Sequence, residues 1–325
     1  MVWLYTDPRM LEHRPPRGHP ERPERLQGIL RHLERTGLDR ACPAGTVRPA
    51  TDEELLRIHT QGHLDLVAAF ERQGGGQIEA DTWMSPGSEL AAHLAAGAAV
   101  EAVEQVLQGP QRRAFCAVRP PGHHARPEEP MGFCLFGNVA AAAAHAIERH
   151  GLRRVLIVDW DVHHGNGTQE IFYADPRVAF LSIHRYPFYP GTGAADETGI
   201  GPGRGTTRNI PLPYGIRRSE YLAAFRSALQ DFADRMQPEL ILISAGFDAH
   251  AEDPIGDLGL EIEDFAEMTR DVIRIAEGHA EGRIVSVLEG GYNVPILAGC
   301  VEAHLVALGA TVEQGPRSGE TDRGA

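Results

Sequence analysis

The run Asp159-Trp160-Asp161-Val162-His163-His164-Gly165-Asn166-Gly167 places two carboxylates and an imidazole at alternate positions. In extended chain, alternate side chains share a face, so Asp159, Asp161 and His163 point one way and Trp160 the other. Two carboxylates crowded in a poorly hydrated crevice require a compensating cation. A solvated acidic loop would account for an isolated D-x-D, but it leaves the adjoining His163-His164 and the apolar stretch before them unexplained. Oxygen and imidazole donors without thiolate suit Zn²⁺ or another divalent transition ion. Asp248, in Gly246-Phe247-Asp248, is the best third protein ligand, and three ligands leave a position open for water and substrate. His123-His124, in Arg119-Pro120-Pro121-Gly122-His123-His124, offers imidazoles that could take a proton from a metal-bound water. Asp159 and Asn166 are candidates to orient them. By itself an H-H pair is more often a surface turn. Gly290-Gly291-Tyr292 supplies a backbone that can approach closely and a phenol that can donate to a developing oxyanion; without context an ordinary half-buried Tyr is the better reading.

These residues need a frame. Short aliphatic or β-branched runs at 114–118, 155–158, 178–183, 240–244 and 284–288 read as buried parallel strands. Helical periodicity appears at 89–107, 139–149, 219–236, 262–277 and 294–308. Strands alternating with helices imply an α/β fold, a mostly parallel sheet covered on both faces. The four polar clusters each follow one of these strands, at the edge where open α/β sheets bind ligands. One domain over residues 1–311, followed by a polar, flexible C-terminal tail at 312–325, is the expected organisation. No internal repeat or low-complexity tract interrupts it.

Composition narrows the function classes. The 325 residues carry 31 basic and 45 acidic side chains, a net charge of −14, and every basic residue is Arg. That balance excludes a protein that coats nucleic acid, which needs clustered positive charge. The Arg-only pattern, beside abundant Ala, Gly and Pro, is most simply the mark of GC-rich coding. No run of about 18 apolar residues predicts a membrane span, and the N-terminus lacks a secretory pattern. Cys42, Cys116, Cys134 and Cys300 form no C-x-x-C pair, as expected for reduced thiols in a cytoplasm.

Together the motifs resemble those of the zinc-dependent histone deacetylase, acetylpolyamine amidohydrolase and acetoin-utilisation superfamily, which shares the arginase-deacetylase fold. The resemblance runs from Gly18-His19-Pro20-Glu21-Arg22-Pro23-Glu24-Arg25 to about Gly309, and the wording around Asn166 is similar to class II-like prokaryotic members. The class I branch usually has Asp where Asn166 stands. The resemblance implies an eight-stranded, mostly parallel sheet. It implies one catalytic Zn²⁺ on Asp161, His163 and Asp248, with Tyr292 polarising the substrate carbonyl. His124 is then general base and acid, oriented by Asn166, and His123 its electrostatic partner held by Asp159. Gly132, Phe133 and Tyr189 resemble the walls of an acyl-lysine tunnel, the last being usually Phe in the family, and Ile255 falls near the tunnel rim. Arg25 matches an Arg near an internal product channel. Asp159, Asp161, His163, Ser182 and Ile183 resemble a structural K⁺ site.

The implied activity is hydrolysis of acetyl or other acyl groups from N6-acyl-lysine in proteins or peptides. An acetylpolyamine or other small acylated amine is the alternative; apolar Ile255, at the rim position where an acidic residue would mark a polyamine-specific branch, speaks against it. An arginase-like enzyme would need a second pair of Asp ligands, whereas residues 244–250 offer Asp248 alone. A catalytically dead binding module is disfavoured because all six chemical positions carry competent residue types. The expected partners are acylated substrates, with neither nucleic acid nor membrane, and an oligomer remains open.

Overall fold

The computed structural model describes residues 1–312. Its main sheet has seven strands, all parallel, in the order β1-β4-β9-β8-β5-β6-β7. These are β1 (Trp3–Tyr5), β4 (Arg113–Cys116), β5 (Val155–Asp159), β6 (Val178–Arg185), β7 (Thr207–Leu212), β8 (Leu240–Ala245) and β9 (Ile284–Leu288). A separate antiparallel ribbon pairs β2 (Gly76–Gln77) with β3 (Trp83–Met84). Every residue of β5, β8 and β9 is buried, which is why their sequences read as unbroken apolar runs and not as alternation.

The expected eight strands are therefore seven. At the β1 edge, residues 43–45 pair with Leu4 through a single parallel bridge, with Leu4 N donating to Pro43 O and Gly45 N to Leu4 O. Pro43 has no N–H with which to extend that ladder. The two edge strands, β1 and β7, escaped the sequence reading for local reasons: β1 is three residues long, and β7 contains Pro211 with only alternate burial.

The five expected helices are present as Ser88–Gln108, Asn138–His150, Arg218–Met236, Ile262–His279 and Val294–Leu308. Pro23–Thr36, Gln61–Arg72 and Asn166–Phe172 add to them. Helices Pro23–Thr36, Val294–Leu308, Ile262–His279 and Arg218–Met236 pack in series, while Ser88–Gln108 and Asn138–His150 pack together against the sheet. Ser88–Gln108 is, among the described residues, the helix long and apolar enough to cross a membrane by length and composition; 67% of its apolar window is buried inside the protein. The four cysteines are buried and unpaired. The expected tail begins at the last described residue, Val312, and from 313 onward lies outside the described residues.

For the site, the decisive feature is that β4, β9, β8 and β5 are consecutive neighbours. The four polar clusters that follow them are thereby brought to one edge.

Candidate active site

Asp159 closes β5, and the chain leaves it carrying Asp161 and His163. Both are buried, as is Asp248 beyond the end of β8. Asp161, His163 and Asp248 present ligand atoms within 4.8 Å of one another. His163 Nδ1 lies 3.0 Å from Asp161 Oδ1 and 3.2 Å from Asp248 Oδ2. Those separations approach the edge of a zinc tetrahedron with N and O ligands, about 3.3 Å for bonds of ~2.05 Å. The free oxygens are already sorted: Val162 N–H donates to Asp248 Oδ1 and Gly290 N–H to Asp161 Oδ2. Asp248 Oδ2 is buried without a hydrogen-bond partner. Burial and the neighbouring Asp161 push Asp248 upward from its ordinary value. Despite burial, the adjacent carboxylates of Asp161, which accepts a hydrogen bond from the ring, and Asp248 raise His163 to about 9. An unpartnered carboxylate oxygen in a pocket that demands positive charge fits a divalent ion.

Close approach of backbone makes this cluster possible. A Cβ on Gly246 would stand 2.1 Å from Asp161 Oδ2, and one on Gly290 2.2 Å from Asp248 Oδ2. Any side chain at either position would occupy the space of the ligands.

The two histidines of the turn after β4 are held differently. His123 Nδ1 donates to Asp159 Oδ2 at 3.0 Å, and the ring is buried. Burial opposes its charge, but Asp161 and Asp159 outweigh burial and raise His123 to about 10, so it is a cation. His124 Nδ1 donates to Asn166 Oδ1 at 2.7 Å. Burial, followed by the positive charges of His123 and His163, holds His124 well below the imidazole range. With Nδ1 donating to an amide oxygen, Nε2 is the acceptor nitrogen. The paired rings, one charged and one neutral, have centroids 4.0 Å apart.

Tyr292 is buried, its N–H donating to Asp253 Oδ2 at 2.7 Å and the Arg25 guanidinium lying 4.9 Å from its ring centroid. Arg25 in turn donates to Gly291 O at 2.6 Å and Glu289 O at 2.5 Å. Phe133 meets Tyr292 edge-on at 5.9 Å, and Tyr189, 37% exposed, meets His124 edge-on at 5.3 Å. Gly132 has φ 56°, and a Cβ there would lie 2.3 Å from His124 Cδ2. Ile255 sits on the loop folded by Asp253, whose Oδ1 accepts from Ile255 N–H. Ser182 is in register with Asp159 across β5 and β6, its hydroxyl 2.9 Å from His184 Nδ1, and Ile183 follows it in the same buried strand.

Several supporting residues carried no role in the sequence reading. Glu289 accepts from Gly122 N–H at 2.7 Å and His123 N–H at 3.1 Å, so a carboxylate beyond β9 anchors the histidine turn beyond β4. Arg119 and Glu21 form a buried bidentate pair behind that turn. Phe188, next to the expected wall residue, stacks on His163 at 5.2 Å. An acidic residue at the carboxyl end of an apolar strand was the available signal for Glu289; the partners of Glu21 and Arg119 leave no local trace.

The histone deacetylase domain model matches residues 19–308. The chain is 42% identical over 286 residues to a probable deacetylase of Archaeoglobus fulgidus, covering 87% of this chain and 79% of that protein. It is 40% identical to a histone deacetylase-like amidohydrolase of Pseudomonas aeruginosa, over 87% and 75%. Human polyamine deacetylase HDAC10 is also 40% identical, over 86% of this chain and 43% of the human protein. A crystal structure of the HDA15 HD domain superposes with a TM-score of 0.89 at 38% identity, covering 95% of this chain and 91% of that one. The span 19–308 includes all four polar clusters and the strands β4, β5, β8 and β9 that gather them: the chain belongs to the histone deacetylase family.

Proposed function

We propose that this deacetylase-family enzyme is a zinc-dependent amidohydrolase that removes acetyl and other acyl groups from N6-acyl-lysine in proteins or peptides. The observation that carries this reading is His124, neutral, its Nδ1 bound to Asn166 and its Nε2 free, beside the buried Asp161–His163–Asp248 cluster. Asp161, His163 through Nδ1, and Asp248 would hold the ion. When bound, Zn²⁺ lowers the pKa of a coordinated water to ~7 and polarises the acyl carbonyl. His124 Nε2 takes the proton from the attacking water and returns it to the leaving amine, so the products are a carboxylate and a free amine. His123, kept protonated by Asp159, places positive charge beside the carbon that gains an oxyanion. The Tyr292 hydroxyl, kept protonated by burial, donates to that oxygen. Phe133 and Tyr189 flank the lysine methylenes, and Ile255 forms an apolar part of the rim. A structural K⁺ at Asp159, Asp161, His163, Ser182 and Ile183 belongs to the same proposal.

The competing substrate is a small acylated amine, which the human relative's name brings into consideration. Turnover of an acetyl-lysine peptide and of N-acetylputrescine by one zinc-loaded preparation separates the two. We expect the peptide to be the better substrate by at least about tenfold, and a preference for the polyamine overturns that assignment. Tyr292→Phe is expected to lower kcat about 10²–10³-fold, and His124→Ala about 10²–10⁴-fold. Intact amide hydrolysis in both variants would refute the mechanism.

A further inference from the structure

We propose that Glu104, His145 and His150 form a second site for a divalent transition-metal ion, at the edge of the sheet opposite the catalytic cluster. Glu104 lies near the end of helix Ser88–Gln108, and His145 and His150 near the end of helix Asn138–His150, which packs against it. Both histidines direct Nε2 at the same carboxylate oxygen: His145 Nε2 is 2.6 Å and His150 Nε2 2.9 Å from Glu104 Oε1. Gln108 Nε2 donates to the other oxygen at 2.6 Å and fixes the carboxylate's orientation. One carboxylate–imidazole hydrogen bond needs one ring. Two imidazoles converging on one oxygen make a two-histidine, one-carboxylate set, with all three ligand atoms within 4.8 Å.

The surroundings support occupancy. His145 is buried, so packing already positions its ring. Its Nδ1 stands 3.7 Å from Glu54 Oε1, ready to donate once Nε2 is engaged by a metal, although Arg57 now approaches that nitrogen at 3.4 Å. Of the three guanidiniums lining the same cavity, Arg48 pairs with Glu54 and Glu101 and Arg57 with Glu53, while Arg149 lines the cavity without lying within 4 Å of the Glu104 carboxylate. Among the described residues the two imidazoles are the only basic side chains within 4 Å of the Glu104 carboxylate. Ligand atoms of a tetrahedral zinc site stand about 3.3 Å apart, so each ring need withdraw by less than about 1 Å. A surface cavity of about 530 Å³ that includes Glu104 and His145 supplies room for a water ligand.

This site does not take part in the chemistry. Helix Asn138–His150 begins where Asn138 Nδ2 donates to Pro120 O, just before the catalytic histidines, and at 1.5 Å per residue His150 lies about 18 Å further along its axis. An ion there cross-links the C-terminal ends of two helices and binds only the folded chain. A hundredfold excess of ion over Kd then favours folding about a hundredfold.

Equilibrium dialysis of the full-length, zinc-loaded protein against Zn²⁺ alone, with metal analysis, tests the proposal. Wild type is expected to take up a second equivalent and to gain thermal stability as it does so. His150→Gln, at a half-exposed helix end, and Glu104→Gln are each expected to weaken the second equivalent at least tenfold while keeping the first. A single equivalent in wild type overturns the proposal, and so does a second equivalent unchanged in both variants. Retention of the first equivalent reports that a variant is folded. If either variant loses it, the wild-type stoichiometry decides by itself.

Discussion

Two histidines that are neighbours in the chain are given different charge states by what surrounds each ring and what each Nδ1 meets. His123 donates to the Asp159 carboxylate and is a cation; His124 donates to the Asn166 amide and stays neutral. An amide oxygen selects the tautomer as a carboxylate does, but it adds no charge to raise basicity. If His124 is the base we propose, Asn166→Ala should lower kcat about 10–100-fold with little change in KM, because the lost contact orients that ring and does not bind substrate. Asn166→Asp should raise the affinity of His124 for protons and move the acid limb of the kcat/KM profile to higher pH. A profile identical to wild type in the Asp variant would show that Asn166 does not act through His124. Tyr292 depends on neighbours in the same way: Asp253 holds its backbone and Arg25 lies against its ring.

At the scale of elements, the ends of β5, β8 and β9 come together so tightly that glycine is required between the carboxylates. Gly290→Ala puts a methyl 2.2 Å from Asp248 Oδ2 and 2.5 Å from Asp161 Oδ2. It is expected to weaken zinc binding at least tenfold, measured as metal retained under competition with a chelator. Undiminished retention would mean that the ligands lie elsewhere. The helix layer carries a different liability. His304, on helix Val294–Leu308, is fully buried between Thr269 and Ser286, with Nδ1 2.6 Å from Thr269 Oγ1 and Nε2 2.9 Å from Ser286 Oγ. Thr269 spends its proton on Phe265 O, so Nδ1–H donates to Thr269 and Nε2 accepts from Ser286. Burial lowers His304 to about 3, against about 6.5 in the unfolded chain. Between those values the unfolded chain binds the extra proton, so the stability that neutral His304 allows is present above pH ~6.5 and lost as pH falls towards 3. The slope is about 1.4 kcal/mol per pH unit. In urea titrations at pH 7 and pH 5, the gap between wild type and His304→Gln should narrow at the lower pH; a constant gap would contradict this account.

For the whole molecule, charge acts at longer range than any contact. A net charge of −14 biases the approach of basic substrates. The kcat/KM for an acetyl-lysine peptide flanked by Arg should fall several-fold as ionic strength rises to about 0.15 M, where the screening length shortens to ~8 Å. An uncharged peptide of equal length should change little, and parallel curves for the two would remove charge from the explanation. Without Lys, the chain also cannot carry the acyl-lysine mark that we propose it removes.

The residue types of the catalytic edge were legible in the chain because strand ends and turn chemistry are local. Asp161, His163 and Asp248 could be named from residue type and spacing, His123, His124 and Tyr292 only with the family resemblance beside them, and the five long helices from their 3.6-residue period. Adjacency was not legible. β4 pairs with β9 across about 170 residues of chain, as Ala114 beside Val285, and nothing in either segment's periodicity encodes its partner. The same reason hid Glu289 as the anchor of the histidine turn and the buried Glu21–Arg119 pair. It also concealed the convergence of Glu104, His145 and His150, each an ordinary polar residue on its own helix. Nor did the chain disclose that residues 43–45 meet Leu4 at the sheet edge through a single bridge, beside seven strands where eight were expected. Local sequence set which groups were available for chemistry; their distances, and hence which histidine is charged and which carboxylate oxygen is left free, arose only when the sheet brought the strand ends together.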